Sequence, residues 1–314
     1  MPRTNFICPD GEEIGMAACI ASCRMAGRCV SKPTLMIMSH QRTPALKLTA
    51  TEALNGTRLT YLKRTQNYGE SPMNLAFALL GTFHHLQHEN VDPVDGFVEV
   101  RLDDSEGGGT PDYYDGTEKA LWDYKTTGAF KVNRALGKKK FEHEEPTGEQ
   151  YKSGPKKGQE KRRKIVEWGM GEPDMWNWQM QLSRYAQLYR GAGFAVEKAF
   201  IQATVRDFTA QTSRQYGLDR QIYVIPVSLF DDATVEAFYR MKNKALENAM
   251  YMLNIPEPCY PKERWLDKGH PNDSTTPGRR CGRYCPVWSF CELGINAHQA
   301  AAPQAPAEKE EANE

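Results

Sequence analysis

Gly109-Thr110-Pro111-Asp112 and Trp122-Asp123-Tyr124-Lys125-Thr126-Thr127 stand on either side of Asp115-Gly116, a dipeptide favoured in hairpin turns. The span Thr110 to Thr127 therefore predicts two β-strands folded back on one another. Asp123 and Lys125 are two positions apart, so strand geometry points both side chains to one face, and pairing across the turn brings Asp112 beside them. Two carboxylates and an ammonium then converge. Phosphodiester hydrolysis uses that combination: carboxylate oxygens hold a hard divalent cation, and a lysine orients the attacking water or offsets developing negative charge. Taken alone, the triplet is more often an exposed ion pair beside a turn aspartate.

Upstream of this pair, Leu48 to Arg64 reads as a helix, with Thr49 and Glu52 spaced as a capping box, and a second helix runs from Pro72 to Glu89. Gly96 to Leu102 is β-rich. Downstream, Gly128 to Gly171 is polar, basic and glycine-containing, and reads as a flexible excursion or long loop. Helical spacing returns from Trp176 to Tyr189. Val196 to Phe208 and Gln221 to Val227 read as strands, and Asp232 to Leu253 as a long amphipathic helix through Val235, Phe238, Leu246 and Ala249. The expected fold is α/β, a mixed central sheet flanked by helices. Ala300 to Glu314, built of Ala, Pro and Glu, reads as a disordered tail.

With 314 residues the chain can bury a substantial core, and its 40% hydrophobic and 25% charged residues are ordinary for a globular protein. No apolar run approaches the roughly twenty residues that cross a bilayer, and Met1 to Asn5 lead into no signal-peptide core. The expectation is a cytoplasmic protein without membrane attachment. In that compartment eight cysteines are better read as metal ligands than as disulfides. The formal net charge is zero, yet Lys131 to Lys164 hold twelve Lys or Arg against five Asp or Glu, a local excess of +7. Such a segment points to a polyanionic partner.

Two helical segments add polar groups. In Gly81-Thr82-Phe83-His84-His85-Leu86-Gln87-His88-Glu89, His85 and Glu89 share one face and His84 and His88 another. Gln181 and Tyr185 share a face of a later helix, where an amide and a phenol can hydrogen-bond a phosphate or an attacking water. Each, taken singly, is as ordinary as a hydrogen-bonded core histidine or a polar helix surface.

In order and spacing, the set resembles the RecB-like branch of the PD-(D/E)xK nucleases, including the CRISPR-adaptation exonucleases and related phage recombination nucleases. The likeness runs from about Thr49 to Tyr185. The pattern G-T-x-x-H-x-x-x-E falls on Gly81, Thr82, His85 and Glu89; G-x-x-D on Gly109 and Asp112; D-Y-K-T on Asp123 to Thr126; and Q-x-x-x-Y on Gln181 and Tyr185. The resemblance implies a restriction-endonuclease-like core. It also implies Mg²⁺ or Mn²⁺ bound by His85, Asp112, Asp123 and the main-chain carbonyl of Tyr124. Lys125 would serve the attacking water, Gln181 and Tyr185 would assist on the substrate side, and Glu89 would stand behind the ligands. The implied activity is a metal-dependent DNA nuclease, an exonuclease on single strands or duplex ends in recombination, repair or phage DNA metabolism, working beside a recombination partner protein in a bacterial or phage-infected cell. A non-catalytic nucleic-acid-binding scaffold stands as the alternative, and a zinc-dependent structural protein as a third.

Cys8, Cys19, Cys23 and Cys29 form C-x10-C-x3-C-x5-C, and Cys259, Cys281, Cys285 and Cys291 form C-x21-C-x3-C-x5-C. Four thiolates suit tetrahedral zinc or an iron-sulfur cluster. The second quartet is similar to the cysteine-rich end of the same nucleases, which implies a 4Fe-4S cluster there, with zinc as the alternative. Zinc or a second cluster is expected at the first quartet. The family's common arrangement places one cysteine before the core and three after it, whereas Gly56 and Thr57 stand near the early position here. Pairing of one N-terminal cysteine with the last three therefore stays open.

The expected organisation is a cysteine-rich metal-binding segment over 1–47, a nuclease core over 48–256 with a basic insertion at 128–171, a second metal-binding segment over 257–297, and a tail over 298–314. Lys138 to Lys140, Lys156, Lys157 and Lys161 to Lys164 are expected phosphate contacts. Arg58 resembles a basic position that family members turn toward DNA, and Trp122 reads as core packing.

Overall fold

The computed structural model describes residues 3–25, 27–41, 43–88, 91, 93–266 and 274–301. Glu89, the His85 side chain and residues 302–314 of the expected tail lie outside the described residues. The chain divides into two compact units, one of residues 1–80, 103–109 and 233–314, the other of 81–102 and 110–232.

In the first unit, strand β1 (Arg3–Ile7) pairs antiparallel with β2 (Glu13–Gly15) and parallel with β3 (Tyr68–Glu70). Helices α1 (Met16–Ala21) and α2 (Lys32–Ser39) pack Met16, Cys19, Leu35 and Met38 against Phe6 and against Leu75 of helix α4 (Pro72–His88). The cysteine-rich start thus owns a small apolar core, which its spacing did not reveal.

The helix expected from Leu48 to Arg64 is interrupted. Its capping box forms, with Thr49 N donating to Glu52 and Glu52 N donating to Thr49 Oγ1, but it caps only a 3-10 turn at Glu52–Leu54. Helix α3 (Thr57–Thr65) starts afresh after Gly56. A Cβ at Gly56 would lie 2.2 Å from Cys259 Sγ, so close approach of the thiol explains the glycine.

Strands β4 (Gly96–Val98), β5 (Leu102–Asp104) and β6 (Gly107–Gly109) follow, β5 pairing with β6. Gly107 has φ +106° and would place a Cβ 2.2 Å from Leu48 O. Two requirements therefore exclude a side chain there.

The second unit is built on a five-stranded mixed sheet in the order β12-β11-β8-β7-β4. Its centre comprises β7 (Tyr113–Asp115) and β8 (Ala120–Thr127), antiparallel as the hairpin reading requires, although four residues separate the strands. Strand β11 (Lys198–Val205) runs parallel to β8, and β12 (Ile222–Pro226) pairs antiparallel with β11.

Between β8 and β11 lies the largest departure from expectation. The span 128–171 is ordered secondary structure: helix α5 (Ala129–Ala135), then strands β9 (Lys138–Gln150) and β10 (Glu160–Met170) in a long antiparallel ribbon. Because most of the ribbon is exposed on both faces, it lacks the apolar alternation that marks a half-buried strand. Opposite charges face one another instead, Lys164 to Glu142 at 2.6 Å and Lys161 to Glu149 at 2.8 Å. At its base, Trp168 lies over Gly217, the left-handed cap of α7 (Ala210–Tyr216).

Helix α6 (Trp176–Gly191) lays Trp178, Leu182, Tyr185 and Tyr189 into the core and covers the face of β8 that carries Leu121 and Asp123. Helix α8 (Asp232–Met252) bonds back within the first unit, where Tyr239 OH donates to Ala50 O and Lys242 Nζ donates to Asn55 O. Short helices α9 (Pro261–Arg264) and α10 (Arg279–Arg283) and helix α11 (Glu292–Ala301) close that unit, so 298–301 are helical. No helix among the described residues is long and apolar enough to cross a membrane.

Candidate active site and metal centres

The register of β8 on β11 sets Leu121, Asp123 and Lys125 opposite Ala199, Ile201 and Ala203. This face is nearly dry: Asp123 is 2% exposed and Asp112 is 4%. Such carboxylates persist only if bonded or paired. Lys125 Nζ lies 2.5 Å from Asp123 Oδ2, and Gln181 Nε2 donates to Asp123 Oδ1 at 3.2 Å. The same amide donates to Tyr185 OH at 2.8 Å, so one NH₂ group bridges carboxylate and phenol. Asp112 Oδ2 accepts from the main-chain N of Tyr124. Asp123, Lys125, Gln181 and Tyr185 are thereby joined by side-chain contacts, and Asp112 is tied to the same strand through the main chain of Tyr124.

Tyr124 turns its ring the other way, as strand alternation demands. It meets the rings of His88 at 4.4 Å and His84 at 6.0 Å between centroids. Burial, then the charge of Asp112, pushes its phenol up to about 12. These two histidines are thus aromatic packing. The expected ligand His85 occupies the same helix, with its side chain outside the described residues. Trp122, also on the far face, stacks on Phe200 with centroids 4.6 Å apart, as core packing requires.

Lys131 was not singled out by sequence. On α5, its Nζ lies 4.8 Å from the centroid of the Trp178 ring. Although its side chain is exposed, desolvation by the surrounding protein, reinforced by the charge of Lys125 and opposed by Asp123, brings its ammonium down to about 8. Its only sequence signal was its place six residues beyond Lys125.

The carboxylate pair fits a hard divalent ion by donor type. Two buried carboxylates against the one ammonium paired to them leave a negative balance that such an ion would offset. Among the described residues, however, no three His, Cys, Asp or Glu groups form a ready-made ion site.

In the first unit, Cys259, Cys281, Cys285 and Cys291 line one small cavity, with Arg58, Arg264 and Arg280 in its wall. Burial raises the thiols of Cys259 and Cys281 and pushes Cys285 up to about 11. Low-dielectric surroundings disfavour the thiolate, and a coordinated metal is the usual compensation. Arg58 donates its Nε to Pro256 O at 2.6 Å and approaches Cys291 Sγ at 3.8 Å. It is therefore turned into the cysteine cavity.

The N-terminal quartet is more open. Cys19 is buried, Cys8 and Cys23 are half-buried, and Cys29 is exposed. Burial and then the neighbouring Cys8, Cys23 and Cys29 raise the Cys19 thiol, so the four lie within electrostatic reach of one another. Each end of the chain brings its own four cysteines into one neighbourhood, and thiols are metal ligands by chemistry, although among the described residues they are not drawn together as a formed metal site.

The ribbon's charges are segregated. Lys140, Lys161, Arg163 and Lys164 of the stem pair with Glu142, Glu149, Glu145 and Glu142. Lys152, Lys156 and Lys157 at the tip form no ion pair among the described residues. Of the expected phosphate contacts Lys161 to Lys164, three of the four stand in exposed ion pairs with carboxylates.

No protein-family model matches this chain, and no curated protein does. Among solved structures it is similar to the crystal structure of SSO0001, at 17% identity over 84% of this chain and 93% of that one, with a TM-score of 0.38.

Proposed function

We propose that this chain is a metal-dependent DNA nuclease of the PD-(D/E)xK type, with a restriction-endonuclease-like core in which Asp112, Asp123 and Lys125 do the chemistry. The observation that carries the reading is the buried Asp112–Asp123 pair with Lys125 ion-paired to Asp123, backed by Gln181 and Tyr185. A buried acidic pair is costly to maintain for stability alone.

Asp112, Asp123 and the carbonyl of Tyr124 would hold Mg²⁺ or Mn²⁺, with His85 as the histidine ligand. That ion, when bound, supplies Lewis acidity toward a phosphate oxygen and acidifies water. Gln181 holds Asp123 Oδ1, which fixes the direction of the carboxylate, and the Tyr185 hydroxyl fixes the Gln181 amide in turn. Lys125 leaves its contact with Asp123 as substrate enters, and its ammonium then orients the nucleophile and offsets charge growing on the phosphorus oxygens. Lys131 adds a second cation nearby. Lys152, Lys156 and Lys157 neutralise phosphates of the DNA strand without reading bases.

The cysteine cavity in the first unit would hold a 4Fe-4S cluster, its cationic wall offsetting the charge of a four-thiolate centre, and the open N-terminal quartet would hold zinc. Both would brace the terminal segments. The substrate would be single strands or duplex ends in recombination, repair or phage DNA metabolism. The test is cleavage of labelled single-stranded, blunt and circular DNA with Mg²⁺ or Mn²⁺, comparing the parent with Asp123→Asn. Loss of linear but not circular DNA supports an exonuclease; binding without cleavage by the parent overturns the catalytic reading in favour of a scaffold.

A further inference from the structure

A second cavity in the first unit lies apart from the carboxylate cluster and adjoins the thiol cavity, with which it shares Arg280 and Leu59. It measures about 470 Å³, within the range of small-molecule sites, and is lined by Arg3, Lys63, Arg64, Arg280, Glu52 and Glu70 among others. Both carboxylates are already matched. Glu70 receives Arg3 Nη1 at 3.1 Å, while Glu52 stands 3.6 Å from Arg64 Nη2 and accepts from Thr49 N through its other oxygen. The remaining cations have no acidic counterpart: Arg280 donates to Asn55 Oδ1 and to a main-chain carbonyl, and Lys63 forms no ion pair among the described residues.

The lining therefore carries two positive charges in excess, the charge of a phosphate monoester dianion. Its donors are also under-used. Arg3 Nε and Arg64 Nε are buried and have no hydrogen-bond acceptor among the described residues. A buried guanidinium N–H without an acceptor is disfavoured, and an oxyanion supplies the acceptors that two forks and an ammonium can share. The same crowding of positive charge is felt at Lys63, whose ammonium, although the side chain is exposed, is lowered by desolvation from the surrounding protein and further by Arg3 and Arg280, against the pull of Glu70 and Glu52.

We propose that this cavity is a binding site for a phosphate monoester, held by Arg3, Lys63, Arg64 and Arg280. The site is independent of the nuclease reading, since none of these residues belongs to the carboxylate cluster. The phosphate can come from a free mononucleotide or from the phosphorylated end of a nucleic acid.

Calorimetric titration of the full chain at constant ionic strength, without added divalent metal, distinguishes these sources. Thymidine 5′-monophosphate should bind and thymidine should not. Lys63→Gln and Arg64→Gln should each weaken binding at least about tenfold, the loss of one charge-assisted contact. Lys63 is exposed, so its variant keeps the test valid if Arg64→Gln fails to fold. A 5′-phosphorylated oligonucleotide binding tighter than its 5′-hydroxyl twin, with the difference lost in Lys63→Gln, identifies a strand end. A monophosphate-only effect identifies the free nucleotide. Equal binding of thymidine and its monophosphate, or unchanged affinity in both variants, overturns the proposal.

Discussion

The carboxylate cluster of the second unit and the C-terminal thiol cluster of the first each gather side chains from distant parts of the sequence, but they are held in different ways. Asp123 is fixed by Lys125 and Gln181, and Asp112 by the Tyr124 amide, so these donors are organised by protein bonds alone. The thiols of Cys259, Cys281 and Cys285 are instead raised by burial in a shared cavity whose wall is lined with arginines. The difference teaches where a metal would act on chemistry and where it would act on folding. An ion added to a pre-bonded acidic pair changes reactivity, whereas a metal joining four thiols gathered in one cavity contributes folding free energy.

The sharpest way to break the comparison is Asp123→Asn. Cleavage should fall by about 10³-fold or more while the melting temperature stays within a few degrees, because the amide keeps the shape and relieves a buried charge. A collapse of stability with activity would mean that the pair is structural. Lys125→Met should cost about 10²-fold in kcat, again with folding intact by circular dichroism.

Cys285→Ala should have the opposite profile. Metal content by elemental analysis should drop, and melting should fall by roughly 10 °C, more than for the exposed Cys29→Ala. Equal melting for parent and Cys285→Ala would remove the folding role. A smaller effect separates ribbon tip from stem. Changing Lys152, Lys156 and Lys157 together to Gln should lower the salt dependence of single-strand binding by about 2 in log–log slope, at about 0.7 per phosphate contact. Lys161→Gln should leave it nearly unchanged, since Lys161 is already paired with Glu149.

The smallest effect is electrostatic. Lys131 has a folded-state pKa near 8, below its ordinary 10.5, so between those values the unfolded chain holds the proton and the folded chain does not. The group therefore costs stability below about pH 8, and that cost is relieved as pH rises from about 8 to about 10.5. Lys131→Met should flatten that pH dependence in denaturant titrations, only modestly because the side chain is exposed and screened. A pH profile identical to the parent's would remove Lys131 from the electrostatics of the cluster.

Much of the second unit was legible in sequence. The β7–β8 pairing, the Gln181 helix and the strands that became β11 and β12 follow from local periodicity. The ribbon was not legible, because strands wet on both faces replace apolar alternation with charges that make sense only once the partner strand is known. Nor was the need for glycine at position 56, set by Cys259, distant in sequence and only 2.2 Å from the Cβ it excludes.

What the sequence by itself determined was the placement of Asp123 and Lys125 on one strand face and the spacing of each cysteine quartet, because alternation and loop length are properties of neighbouring residues. Only the tertiary structure decided that Gln181 reaches Asp123, that Arg58 turns into the thiol cavity, and that Arg3, Lys63, Arg64 and Arg280 share one pocket. Those groups meet through long-range packing, which no local pattern encodes: a side chain's partner is set by which elements are buried against one another, and hence by the fold as a whole.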